Sequence, residues 1–307
     1  MSVIETTSLT RRFGDIRAVQ ELDLVVEEGE IYGFLGPNGA GKSTTINMLL
    51  SLVHPTSGSA RVLGHDVENG VREIHDRLGV LPDDAGLYDR LTARKHLEFV
   101  IDVKGTDDDP DTLLERVGIP DAADRKAGGF STGMGQRLRL AMALVGDPDL
   151  MILDEPTSGL DPNGARELRE IVREENDRGA TVFFSSHVMG QVESVCDRVG
   201  ILRNGELVAE DTIEGLRLAV GSETTLTLSV DGQPDGVVGR LEDLRPVTSV
   251  TVDGRTIRTR LSEPGAKTDV MREVEDAGLT VTDFDTEEAA LEDVFARYTT
   301  DRTEVEA

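Results

Sequence analysis

Between residues 31 and 202, short unbroken apolar runs alternate with longer segments in which apolar and polar positions mix at helical spacing. The runs 31–35, 150–153 and 181–184 are too short for helices and do not alternate. Such runs mark strands buried on both faces of a parallel sheet. Segments 45–52, 89–104, 111–117, 136–145, 162–178 and 188–197 read as helices, with Gly105 and Gly118 as stops. Segments 3–8, 18–19 and 22–26 read as short strands, and Glu28-Gly29 turns the chain into the strand 31–35. Segments 199–202 and 206–209 flank Asn204-Gly205, a strong hairpin signal. Strands alternating with helices predict an α/β sheet with ligands at the strand C-termini.

The rhythm changes near Gly221. Segments 224–230 and 247–261 alternate in the β manner, with turns at Asp231-Gly232 and Asp253-Gly254. A helix over 264–277, a strand over 279–284 and a final helix over 287–298 follow, and the tail from Thr299 is expected to fray. The pattern predicts two domains: 1–220, with a helical subdomain at about 85–145, and a small α+β domain at 221–307. The second contains no constellation of His, Cys or carboxylates that suggests catalysis.

Chemistry enters at GPNGAGKST, Gly36 to Thr44, which fits GxxxxGK[ST] at every required position. A strand leads into it and a helix leads out, so a Gly-rich turn meets a helix N-terminus, and that makes an anion site. Gly36, Gly39 and Gly41, with Pro37, Asn38, Ala40 and Thr44 between and beside them, let successive N–H groups point inward at phosphate oxygens. Lys42 sets a cation against the terminal phosphates, and the Ser43 hydroxyl suits a magnesium ion that bridges them. The run 150–153 ends in Asp154 and Glu155. This strand is expected beside the one entering the loop, delivering Asp154 to the metal, while Glu155 polarises a water in line with the γ-phosphate.

Charge narrows the partners. The chain has 307 residues, 59 acidic against 32 basic, and a net charge of −27. No net positive field is available to release counterions from a nucleic acid, so such a partner is not expected. The acid is spread along the chain, which suggests a halophilic source, with an acidic patch for a basic partner as the rival. The single cysteine, Cys196, forms no intrachain disulfide and fits a reducing cytoplasm. No signal segment or run long enough to span a bilayer is seen, so any tie to a membrane is expected to pass through another polypeptide.

With these residues in this order, the chain resembles the ATP-binding-cassette family. Phe130-Ser131-Thr132-Gly133-Met134 stands where the family has its signature, usually LSGGQ; Ser131 and Gly133 match, and Thr132 and Met134 depart. The resemblance implies that Ser131 and Gly133 bind the γ-phosphate held by an opposite subunit. Ser158-Gly159-Leu160-Asp161 resembles the loop that crosses the dimer interface, and Asp161 is carried over with it. His187, after Ser185-Ser186, resembles the switch histidine that holds the attacking water near Glu155. Phe13 resembles the aromatic that stacks on adenine. Asp83 stands where the family normally has Gln; it is a further metal ligand or another surface acid. Segment 86–92 resembles the surface that meets the membrane subunit, and 290–295 resembles the end motif of ABC-2-type exporter ATPases.

The resemblance implies an ABC-type P-loop ATPase domain, a mixed sheet core with a helical subdomain, followed by the small α+β domain. It implies ATP and Mg2+. It also implies a head-to-tail dimer with a second copy or a paralogous ATPase, separate transmembrane permease subunits, and a place on the cytoplasmic side of the membrane. Two rivals stand beside it: a soluble cassette with a remodelling role, and a module that holds ATP without turnover.

Overall fold

The computed structural model describes residues 1–83, 86–219, 224–262, 264–287 and 295. The chain divides into two compact units, Met1–Ile213 and Glu214–Ala307. That break falls before the change of rhythm at Gly221.

Two sheets build the first unit. β1 (Ser2–Phe13), β2 (Ile16–Glu27), β4 (Ser57–Val62) and β5 (His65–Asp66) form an antiparallel sheet in the order β2-β1-β4-β5. β1 and β2 are each one long strand rather than the short pieces the pattern predicts. Register shifts near Ser8 and a positive φ at Ser8 and Glu21 break the alternation partway along. A bulge turns successive side chains out of phase, so the sequence reads as fragments.

The second sheet contains β3 (Ile31–Leu35), β6 (Leu78–Leu81), β7 (Leu150–Asp154), β8 (Thr181–Ser186), β9 (Arg198–Arg203) and β10 (Glu206–Thr212), in the order β10-β9-β3-β8-β7-β6. All neighbours are parallel except β10, which returns from β9 through the Asn204-Gly205 turn. This order corrects one expectation: β7 is not beside β3. β8 lies between them, paired with both. β7 and β8 are both short and buried along their whole length, and neither composition says which one flanks β3.

Helices α1 (Lys42–Leu49), α2 (Val71–His75), α3 (Ala93–Lys104), α4 (Pro110–Arg116), α5 (Thr132–Leu144), α6 (Pro162–Asp177) and α7 (Met189–Glu193) connect the strands. One core joins both sheets and α1. Leu22, Leu24 and Val62 of the first sheet meet Tyr32, Phe34 and Phe183 of the second, together with Ile46, Met48 and Leu49. Phe183 stacks on Tyr32 at 5.8 Å between ring centroids and tilts against Phe34 at 5.1 Å.

The helix starts follow their caps. α3 begins at Ala93 rather than residue 89 because the Thr92 side chain, in extended backbone, accepts from the Lys95 N–H. α5 begins at Thr132 rather than residue 136 because Ser131 accepts from the Met134 N–H. α7 is shorter than 188–197 implies. β4, β5, α2 and β6 are not visible in the sequence rhythm; β4 exposes four of its six positions, and its polar face hides the pattern.

α8 (Ile213–Ala219) starts at the junction of the units. The second unit is an antiparallel sheet of β11 (Thr224–Val230), β12 (Val247–Asp253), β13 (Thr256–Leu261) and β14 (Val281–Glu287), ordered β12-β13-β11-β14. Alternate residues of β11 and β13, such as Leu226, Leu228, Ile257 and Leu261, pack with α9 (Val238–Glu242) and α10 (Lys267–Asp276) in a separate core. The helix expected over 264–277 opens as a single tight turn, Pro264–Ala266, before α10. The final helix and the 290–295 motif lie outside the described residues, apart from Glu287, which ends β14, and Phe295.

Candidate functional site

β3 delivers the chain to Gly36, and the loop Gly36–Thr44 curls into α1. The loop is wedged between neighbours. A Cβ on Gly36 would meet the Leu202 carbonyl oxygen at 2.6 Å, and one on Gly41, at φ 111°, would run into that of Ala18. Only glycine tolerates both the conformation and the approach. The Gly205 N–H donates to the Ala40 carbonyl at 2.8 Å, so the β9–β10 hairpin holds the loop from outside. α1 starts at Lys42, and Gly41 before it provides no side-chain cap. Its first N–H groups therefore face the cleft as an uncapped positive helix end.

Four side chains converge beside this loop. Lys42 is buried; its Nζ donates to the Gly36 carbonyl at 2.7 Å and lies 3.5 Å from Oε1 of Glu155. Oε2 of Glu155 lies 2.9 Å from Nδ1 of His187 and accepts from the Ser186 hydroxyl at 3.4 Å. Oε1 of Glu155 is buried and has no hydrogen-bond partner among the described residues. Asp154, also buried, accepts from the Ser185 hydroxyl, and the Ser43 hydroxyl lies beside it. Burial pushes its carboxyl above the usual range, and the two hydroxyls pull the other way.

Together these residues face a cleft of about 640 Å³. Pro37, Asn38, Gly39, Gly41, Lys42, Ser43, Thr44, Asp83, Glu155 and His187 line it, and Asp154 reaches it through Ser43. Ser158, from the motif that ends in Asp161, lines it too, and sequence spacing does not reveal Ile16, Arg17, Ala18, Gln20 or Asn204, which also line it. β2 and the β9–β10 hairpin bring most of them in, and no local motif announces such a long-range approach. Phe13 is not among the lining residues. It pairs with Ile16 across the β1–β2 hairpin, is 46% exposed, and carries the Arg11 guanidinium 4.4 Å over its ring.

Ser131, Gly133 and Asp161 are not in this cleft. They line a second one of about 540 Å³ with Thr132, Met134 and Leu160. Ser131 caps α5, and Asp161 caps α6 by accepting from the Gly164 N–H at 2.8 Å. The two caps touch: a Cβ on Gly159 would lie 2.5 Å from Cγ2 of Thr132. Gln136, on α5, donates from its buried amide to the Pro156 carbonyl at 2.8 Å, fixing this surface to the segment that carries Glu155.

Magnesium fits the donor set. Asp154 and the Ser43 hydroxyl offer hard oxygens side by side, and Asp83 lines the same cleft as Ser43. Among the described residues no group of three or more His, Cys, Asp or Glu is placed to hold a metal ion by itself.

Comparison with known proteins agrees with this geometry. The profile of the family described as "ABC transporter" matches residues 19–158. The bacitracin transport ATP-binding protein BcrA of Bacillus licheniformis is 42% identical over 219 residues, 70% of this chain and 72% of that protein. The daunorubicin/doxorubicin resistance ATP-binding protein DrrA of Streptomyces peucetius is 34% identical over 305 residues, 96% of this chain and 92% of that protein. A solved structure of the ATP-binding subunit of an ABC transporter superposes with a TM-score of 0.67 at 29% identity, covering 71% of this chain and 93% of that one.

Proposed function

The chain belongs to the ABC transporter family as an ATP-hydrolysing subunit of the ABC-2 exporter type, and we propose that two copies close head to tail around two ATP molecules. One observation carries this reading. The phosphate loop with Lys42, Glu155 and His187 lines one cleft, and Ser131 with Gly133 lines another on the same chain. A nucleotide held by the first cleft meets the second only on a partner molecule, so each site is incomplete in a monomer.

Within a closed site, the uncapped end of α1 and Lys42 bind the phosphates. Oε1 of Glu155, the orphaned acceptor, takes a hydrogen bond from the attacking water and aligns it. His187 engages Glu155 through Nδ1, which leaves Nε2 for the γ-phosphate. Ser131 and Gly133 of the partner close over that phosphate. Asp154 and Ser43, with Asp83 beside them, would hold magnesium, which would supply positive charge against the phosphates.

The subunit powers transport through separate membrane-spanning subunits. No helix among the described residues is long and apolar enough to cross a membrane. Tyr88, within the segment proposed to meet the permease on its cytoplasmic side, and Phe99 and Val103, on the helix α3 that follows it, stand exposed at 67%, 58% and 70%. We attribute the charge of −27 to a salt-rich source, and it disfavours nucleic acid as a partner.

Mixing two inactive variants tests the arrangement. Ser131→Arg and Lys42→Ala each abolish turnover alone. A heterodimer keeps one intact site, built from the loop of the first variant and the signature of the second. Activity is expected to return on mixing, and no recovery at any ratio overturns the head-to-tail dimer.

A further inference from the structure

The cations of the nucleotide cleft differ in their partners. Lys42 is committed to Gly36 and Glu155, and His187 to Glu155. Arg17 differs. It is exposed, its one polar contact is a 3.5 Å hydrogen bond to Oε1 of Gln20, and it forms no ion pair with any described residue. The chain has 59 acidic and 32 basic residues, yet the one arginine that lines this cleft has no carboxylate partner among the described residues.

Its surroundings sharpen the point. Arg12 stands directly opposite Arg17 across the β1–β2 ladder, likewise without an ion pair among the described residues. Like charges directly opposed on a ribbon repel. A neighbouring cleft holds both arginines together with Glu21, Asp23 and Glu206, yet of these five only Arg17 also lines the nucleotide cleft. The strand segment that carries it, Ile16 to Ala18, abuts the phosphate loop at Gly41, and Arg17 makes no bond to Lys42, Glu155 or His187.

We propose that Arg17 is a nucleotide-binding residue, the cation for the inner phosphates, while Lys42 serves the terminal ones. The inference rests on the reading of Gly36–Thr44 as the nucleotide site. An arriving nucleotide anion gives Arg17 the partner that the fold withholds, and it relieves the repulsion from Arg12.

Equilibrium binding of ATP, ADP and GTP to the full chain, each with magnesium, tests this. Arg17→Gln is expected to weaken all three by a similar factor, about three- to tenfold. Arg17→Lys, which keeps the charge, recovers most of the affinity and also covers the case in which Arg17→Gln fails to fold. Lys42→Ala is the control for the site itself. If Lys42→Ala leaves affinity unchanged, the nucleotide-site reading fails. If Lys42→Ala weakens binding and Arg17→Gln does not, only this inference fails. A loss confined to ATP places Arg17 at the terminal phosphate, and a loss that differs between ATP and GTP makes it a base-reading residue; either overturns the proposal.

Discussion

Glu155 sits at φ 47°, in the left-handed region that residues with a side chain seldom occupy. Holding a glutamate there costs on the order of 1 kcal/mol. The turn swings its carboxylate back over the loop, so that one oxygen faces Lys42 and the other faces His187. Glu155→Gln keeps the shape and removes the charge. Turnover should fall about 10²- to 10⁴-fold while ATP binding survives, because aligning a water matters in the transition state and little in the ground state. Multiple-turnover phosphate release and a binding titration on the same sample check this; wild-type turnover would refute the role. At this scale the sequence was partly readable. An apolar run ending in Asp154 and Glu155 marks two carboxylates at a strand end. The left-handed turn was hidden, since glutamate is not a residue that signals positive φ. Phe13 could be picked by position alone, and position does not convey that Arg11 already covers its ring.

Among the elements, strands and helices with strong rhythm were readable, and their neighbours in space were not. The apolar runs at β3, β7 and β8 declare burial, but sheet order depends on crossovers that no local pattern records. The same holds for the ties that bind α6 to α4 and α5. Arg116 of α4 reaches Glu175 at 2.5 Å and Glu174 at 3.3 Å on α6, and Arg178 adds a 2.9 Å contact to Glu175. Arg137 of α5 meets Glu167 at 2.6 Å. Glu175 is buried, whereas the Glu174 side chain is 61% exposed, and that difference decides their weight. Glu175→Ala is expected to cost about 2 kcal/mol, less than a fully buried pair because both arginines reach solvent. Glu174→Ala should cost less than about 1 kcal/mol. The midpoint of the first urea transition ranks the two, and equal shifts would contradict the latch at Glu175.

For the whole molecule, charge and chain order matter most. At −27, repulsion between subunits reaches about 30 Å in 0.01 M salt and only about 3 Å in 1 M. Closure of two acidic subunits should suffer most from dilution. Thermal stability and ATPase rate are both expected to rise from dilute buffer toward molar KCl. A maximum near 0.1 M in both would point instead to a basic partner that neutralises the surface. Composition made this property readable, whereas the division into two units at residue 213 was obscured because the β rhythm changes only later. The place of β8 carries a consequence for the chain as it is made. Every residue of the phosphate loop and of the carboxylate pair has been synthesised by Glu155, but the strand that joins them ends at Ser186, and β9, the other neighbour of β3, ends at Arg203. A nascent chain that has emerged only to Gly179 therefore exposes the apolar edges of β3 and β7 with nothing between them. Until the ribosome has released some 25 more residues, that chain is a client for chaperones rather than an ATPase.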